Sequence, residues 1–356
     1  MHEFAPLLRS CSKGGVTPVL NRHVYLETMA YELPPCVVSS QSIVDRLQPT
    51  LRRLGLPAEA LMKAAGIEER RFWPEGTTLV DAASRVAQKA IEQSGLRPED
   101  IGALVSTSVC KDYLEPSMAS LIHGRLGLPG SCLNLDVGSA CLGFLNGIAL
   151  LADLIDAGRI RAALVVDAES SREVVESTIQ RLLRPDTQVS DFSLNFASLT
   201  LGSGAVAAVL THESLSRSRH RLVGHVSLAD TSKSGLCLGN REQMLVQCRP
   251  LLEAGLSLAR RTWALAHQLL GWSSSHLDFI VGHQVGERHF QSLLEMFGLD
   301  RARSFITYPF LGNVGPASVP LTLAMAAERG LVRRGDRLGL MGIGSGLNCS
   351  MMELHW

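Results

Sequence analysis

An α/β fold built from two similar halves is the architecture this sequence predicts, and three observations carry it. Apolar stretches of helical length alternate with short apolar runs of strand length. The alternation runs twice along 356 residues. Matching strand positions also recur at one spacing, since Thr107 and His283, and likewise Leu164 and Leu340, stand 176 residues apart. One offset in a chain about twice that length predicts internal duplication. Duplicated halves place a site where their equivalent strand ends meet.

Residues 1–20 contain Gly14, Gly15 and Pro18 without periodicity, and read as a loose extension. Asp81 to Gly95 has apolar residues at helical spacing and a glycine stop. Ile101 to Thr107 is an apolar run of strand length. Cys141 to Ala157 is an apolar helix closed by Gly158, and Ala162 to Val166 is a second buried strand. In the second half, a helix over Leu251 to Leu270 ends at Gly271, and a strand covers Phe279 to Gly282. A helix over Pro320 to Glu328 stops at Gly330, and a strand covers Leu338 to Gly342.

Composition narrows the function. Hydrophobic residues make up 46% and charged residues 19%, a globular balance. Lys+Arg and Asp+Glu are both 34, and zero net charge argues against a nucleic-acid binder, which carries a basic face. No apolar stretch reaches the about 18 residues of a membrane span. The N-terminus lacks a basic region followed by an apolar core, so a cytoplasmic location is expected. The 8 cysteines form no C-x-x-C pair, and most read as reduced packing residues.

Four segments carry chemistry. In DVGSACLGF, a strand-like run enters small residues, then Cys141, then a helix. A helix N-terminus favours the thiolate, so Cys141 is expected to have a lowered pKa. In GHQ, His283 closes a buried strand. His289 follows at a spacing unlike a zinc motif, so no metal is expected. In LGNVGPASVP, Asn313 offers two N–H donors from a glycine-rich loop. In GIGSGLN, the glycines Gly344 and Gly346 flank Ser345. The pattern is not G-x-G-x-x-G and lies too near the C-terminus for a nucleotide-binding unit, but it can offer backbone donors to an oxyanion. Cysteine, histidine and asparagine on separate loops also fit a cysteine protease, although duplicated α/β halves do not.

The order Cys141, His283, Asn313, with the flanks SACLGF, GHQ and GNVGPASVP and the closing glycine loop, resembles the thiolase superfamily in its ketoacyl-ACP synthase III branch. The segments TSVCKDYLEPS and GIGSGLNCSM are most similar to the OleA group of that branch, which joins two fatty acyl-CoAs head to head in olefin biosynthesis. The similarity runs from about residue 22 to Trp356. It implies a five-layered αβαβα thiolase fold with pseudo-twofold halves at 21–215 and 216–356, and a homodimer. It implies no cofactor or metal, coenzyme A thioesters as substrates, and downstream enzymes that process the β-keto acid product.

The implied reaction starts with attack of Cys141 on one acyl-CoA, giving an acyl-enzyme. Backbone donors at Cys141 and around Ser345 stabilise the oxyanion. A malonyl donor would generate its carbanion by losing CO₂, whereas two plain acyl-CoAs require a base for the α-proton. The resemblance assigns that base to Glu115, reaching the partner subunit's site, with His283 and Asn313 binding the enolate oxygen. Rival readings are a decarboxylating synthase III, a condensing enzyme of β-lactone biosynthesis, and a non-catalytic partner of a condensing enzyme. Glu115 disfavours the first, and an intact Cys141, His283 and Asn313 disfavours the last. Leu142 stands where many ketoacyl synthases carry a small polar residue, which makes the acyl environment apolar.

Overall fold

A computed structural model describes residues 19–57, 65–240 and 242–356. In chain order its strands are β1 (Val19–Leu20), β2 (Val24–Glu32), β3 (Cys36–Ser39), β4 (Glu69–Phe72), β5 (Ala103–Ser106), β6 (Leu133–Asp136), β7 (Ala162–Glu169), β8 (Gly204–His212), β9 (His220–Ala229), β10 (Cys237–Gly239), β11 (Met244–Val246), β12 (Phe279–Gly282), β13 (Arg337–Gly344) and β14 (Asn348–His355). The helices are α1 (Ser40–Leu54), α2 (Leu79–Ser94), α3 (Met118–Leu126), α4 (Gly143–Asp156), α5 (Arg172–Leu182), α6 (Val189–Asn195), α7 (Cys248–Leu270), α8 (Glu287–Phe297), α9 (Tyr308–Leu311) and α10 (Ser318–Glu328).

The main sheet has the order β12-β13-β14-β9-β2-β8-β7-β5-β6, with β1 added beside β9. Its halves join where Tyr25 and Leu26 pair with Arg221 and His220. Within each half the inner pair is parallel, β5 with β7 and β12 with β13. Alternating side chains then build the layers. Ala103, Val105, Ala163, Val165, Val281 and Leu340 face one central core with α4 and α10. Leu104, Leu164 and Val166 face the opposite way, onto α2 and α3. Ile280, Met341 and Met351 face outward onto α7 and α8. Helix, sheet, helix, sheet, helix is the five-layered thiolase arrangement that the resemblance implied. Strand β8 ends at His212 and β9 begins at His220.

The register confirms the duplication and corrects one number. Thr107 N–H donates to Val166 at 2.9 Å, and its counterpart His283 N–H donates to Met341 at 2.8 Å. Val105 lies opposite Val165, and Val281 lies opposite Leu340. The first strand pair therefore repeats at 176 residues and the second at 175, so Leu340 matches Val165 and not Leu164. Both strands are buried on both faces, and an unbroken apolar run lacks the alternation that fixes register.

The loose extension ends earlier than residue 20. Val19 and Leu20 pair antiparallel with His225 and Gly224, and residues 1–18 of that expectation lie outside the described residues. Strands β2, β8, β9 and β14 and the antiparallel pair β3–β4 complete the sheets beyond the elements predicted. Among the described residues no helix is long and apolar enough to cross a membrane.

Candidate active site

Cys141 sits in a single 3-10 turn, Ala140–Leu142, that leads directly into α4. No side chain caps this end, and first-turn N–H groups have no acceptor within the helix. The turn begins with strain. Ala140 has φ of +44°, a conformation that costs a non-glycine residue about 1 kcal/mol or more. Close approach behind the turn depends on glycine. A Cβ at Gly143 would meet the Thr107 carbonyl oxygen at 2.7 Å, and one at Gly147 would meet the Thr107 methyl at 2.9 Å. These residues lie one helical turn apart on one face, so α4 rests on the end of β5. That contact places Cys141 at the carboxyl end of the parallel strands.

The glycine loop completes the other side. Residues 345–347 form the turn between β13 and β14. A Cβ on Gly344 would lie 3.2 Å from Leu142 N and Ser139 O, and 3.3 Å from Cys141 N. The N–H of Cys141 faces its own sulfur, and the Ser345 N–H has no partner among the described residues. Gly346 adopts φ of +133°, which L side chains rarely reach. Gly344→Ala is therefore expected to displace the Cys141 turn. We expect acyl-enzyme formation, followed by CoA release, to fall about a hundredfold. A thermal melt should show a stability loss of about 1–3 kcal/mol.

Asn313 is half-buried, and its backbone is pinned on both sides. Its N–H donates to Thr200 at 3.0 Å, and its carbonyl accepts from Gly202 at 2.9 Å. Its Oδ1 accepts the Gly315 N–H at 3.0 Å, which commits the oxygen and leaves Nδ2 for another acceptor. The following turn, Gly315–Ala317, packs against the Cys141 turn. His283 ends β12 beside β13 and is 2% exposed. Its Nδ1 has no hydrogen-bond partner. Burial, with a smaller contribution from His289, holds its pKa near 3, so the imidazole is neutral.

The thiol departs from expectation. Burial pushes Cys141 up to about 12, and Cys237, Glu169 and Asp167 push in the same direction. A helix end contributes at most about 2 kcal/mol, little more than one pK unit. Burial can move a pKa by about 3–5 units, so desolvation wins. The resting pair is thiol and neutral imidazole.

Asp167, Glu169 and Cys237 are neighbours that sequence reasoning missed. Asp167 and Glu169 share one face at the end of β7, and both are buried. Thr107 Oγ1 donates to Asp167 at 2.6 Å. Burial drives Asp167 well above the carboxylate range and Glu169 to about 7. Cys237 is half-buried and interacts with the Ser345 hydroxyl. A signal was available for the carboxylates: AALVVDAE places two acids at i and i+2 at the end of a buried strand.

Glu115 stands apart. It is exposed and makes no hydrogen bond among the described residues. Its segment is firmly anchored, however. Asp112 accepts from Leu79 and Val80 at the start of α2, at 3.0 and 2.9 Å. Lys111 pairs with Asp136 at 2.6 Å. The Cys110 thiol donates to the Ser170 carbonyl at 3.2 Å. Tyr113 and Leu114, beside Glu115, are 56% and 84% exposed. Among the described residues, the group of potential metal ligands that lies close together is His23, His212 and Glu213, at the far ends of β2 and β8. It involves none of these site residues.

Comparison with known proteins bears on the chemistry. Residues 135–230 match the 3-oxoacyl-[acyl-carrier-protein] synthase III family, and residues 267–356 match its C-terminal domain. An acyl-CoA:acyl-CoA alkyltransferase of Xanthomonas campestris is 41% identical over 338 residues, covering 95% of this chain and 100% of that protein. This chain belongs to the acyl-CoA:acyl-CoA alkyltransferase, or OleA, family. A second member, from Shewanella oneidensis, is 38% identical and covers 94% of this chain and 99% of its own length. A β-ketoacyl-[acyl-carrier-protein] synthase III of Cereibacter sphaeroides is more distant, at 29% over 84% of this chain and 90% of its own. Among solved OleA structures, a cysteine-to-serine variant of the Xanthomonas enzyme with bound lauric acid and lauroyl-CoA superposes with a TM-score of 0.93. It covers 95% of this chain and 100% of that one, at 41% identity. Family membership makes this chain an acyltransferase condensing enzyme.

Proposed function

We propose that this protein joins two long-chain fatty acyl-CoAs by Claisen condensation without loss of CO₂, releasing a 2-alkyl-3-keto acid for hydrocarbon biosynthesis. The observation that carries this reading is a carboxylate, Glu115, displayed on an anchored loop beside the nucleophile's strand ends. A decarboxylating synthase has no use for such a base.

Each residue then has a role set by its surroundings. Cys141 attacks the first thioester as its proton passes to the neutral His283, and CoA departs carrying that proton, leaving the acyl-cysteine. The N–H groups of Cys141 and Ser345, with Gly344 and Gly346 shaping the loop, receive the oxyanion. The second acyl-CoA gives up its α-proton to Glu115 of the other subunit. His283 and Asn313 Nδ2 then hold the enolate oxygen while the α-carbon attacks the acyl-cysteine carbonyl and expels the Cys141 sulfur. Water finally hydrolyses the β-ketoacyl thioester. An acyl chain entering the central layer would have to part the packed apolar side chains of Phe144, Leu145, Ile148, Val319, Leu323 and Leu340, which enclose space for only about one water. Helix α4 carries the first of these residues straight from the nucleophile turn.

The homodimer is part of the same reading. Strand β6 is one of the two edges of the main sheet among the described residues, and exposed edges invite pairing. Exposed Leu133 on β6, with Val109, Tyr113 and Leu114, supplies apolar surface beside that edge. The reaction requires no metal or bound cofactor in this scheme. Its site of action is the cytoplasm, and enzymes that consume the unstable β-keto acid follow it.

Incubation of the purified protein with one long-chain acyl-CoA tests the proposal. Intact-mass measurement should find an acyl adduct on Cys141, and extraction should yield the β-keto acid or its decarboxylated ketone. An adduct that condenses only after malonyl-CoA or malonyl-ACP is added would instead identify a decarboxylating synthase.

A further inference from the structure

Glu169 has no role in the chemistry above, yet it contacts both the segment that leads to Glu115 and the turn that follows Asn313. Its Oε1 accepts the Val109 N–H at 2.6 Å, and its Oε2 accepts the Cys110 N–H at 3.2 Å. Its backbone carbonyl accepts the Trp73 indole N–H at 3.0 Å, which fixes the end of β7. A Cβ on Gly315 would lie 3.8 Å from its Cγ and Cδ, so the acid backs the turn that orients Asn313. Its charge also acts on the Cys141 thiol. Glu169 is 5% exposed. Burying a carboxylate is expensive unless it is fully hydrogen-bonded.

We propose that Glu169 is a positioning residue for carbon–carbon bond formation: its two-pronged grip on the Val109 and Cys110 N–H groups sets where the same loop presents Glu115. The inference rests on the reading of Glu115 as the base offered to the other subunit. Two carboxyl oxygens are required, because each must accept one N–H. Glutamine has one acceptor oxygen and would turn an NH₂ toward a backbone N–H. The segment from Cys110 to Glu115 would then relax outward. A displacement of about 1 Å at a reacting group costs about a hundredfold. The damage falls on the partner's site, because the misplaced loop serves the partner.

That asymmetry provides the test. Because Glu169 also acts on the Cys141 thiol of its own chain, acylation is the internal reference: in Glu169→Gln homodimers the acyl-enzyme should still form, while condensation falls about a hundredfold relative to acylation. Heterodimers of Glu169→Gln with Cys141→Ala, isolated through two different affinity tags, should then regain condensation. In them the nucleophile comes from the Glu169→Gln chain and an intact loop from its partner. One competent site of two predicts about half the wild-type rate per dimer. Glu115→Ala paired with Cys141→Ala is the control for the underlying reading. If that control pair condenses but the Glu169→Gln pair does not, Glu169 acts on its own chain's site and the proposal is wrong. If the control pair also fails, Glu115 does not act across the dimer, and both readings fall. If Glu169→Gln does not fold, as judged by absent acylation, Glu169→Asp replaces it. The shorter acid should lose condensation more than acylation, and equal losses would overturn the proposal.

Discussion

Cys141→Ala is expected to abolish acyl transfer. Intact-mass measurement with a long-chain acyl-CoA should show no adduct, and turnover should fall on the order of 10⁶-fold or to the detection limit. The expectation rests on position as well as on chemical type. Cys141 is held on a strained turn that Gly344 closely approaches, and among the described residues no other thiol shares that setting. Cys237, its nearest thiol neighbour by charge, lies on a separate hairpin strand. Adduct formation on Cys237 in the variant would reassign the nucleophile. Because the thiol is pushed to about 12 and His283 to about 3, both are neutral near pH 7. His283 gains its proton only as pH falls toward 3. Acylation should therefore show no loss from imidazole protonation between about pH 5 and 7, the range in which an ordinary histidine titrates. A rate that falls through pH 6.5 in this step would contradict a neutral buried base.

Glu115→Ala should separate the two halves of the reaction. Acyl-enzyme formation needs Cys141 and its donors, none of which Glu115 contacts within its own chain. Carbon–carbon bond formation needs the α-proton removed, and loss of a general base costs about 10²–10⁴-fold. The expected result is a stable acyl adduct with condensation reduced by about that factor. Because Glu115 is exposed and makes no hydrogen bond among the described residues, the fold should be unaffected and the melting temperature unchanged. Condensation at the normal rate in this variant would remove Glu115 from the mechanism.

Much of the architecture was legible in the chain. Helix boundaries at Gly95, Gly158 and Gly271 were readable because each glycine occupies the left-handed region that ends a helix. The inner parallel strands were readable as apolar runs. The strands that close the sheet at the pseudo-twofold were less so. Strand β9, with its charged and polar residues, pairs mostly with β14, and its pairing with β2 is only two residues long. Its place depends on partners more than a hundred residues away. The 176-residue offset survived for one strand pair and became 175 for the other, because a fully buried strand does not mark its own register.

The site divides in the same way. Sequence alone determined the candidate nucleophile, its place at a helix start, and the loops that carry His283, Asn313 and Ser345, since each is written in a local pattern. Tertiary structure alone decided the protonation of that nucleophile. Two carboxylates on β7, distant in sequence, lie near it, and packing removes water from all three groups. Desolvation and charge proximity are set by contacts across the fold, and a local motif does not encode them. Tertiary structure likewise decided that the Glu115 segment is fastened to Glu169, Asp136, Ser170 and the start of α2. Such anchors join residues about 25–60 positions apart, so they exist only once the sheet has brought β5, β6 and β7 side by side.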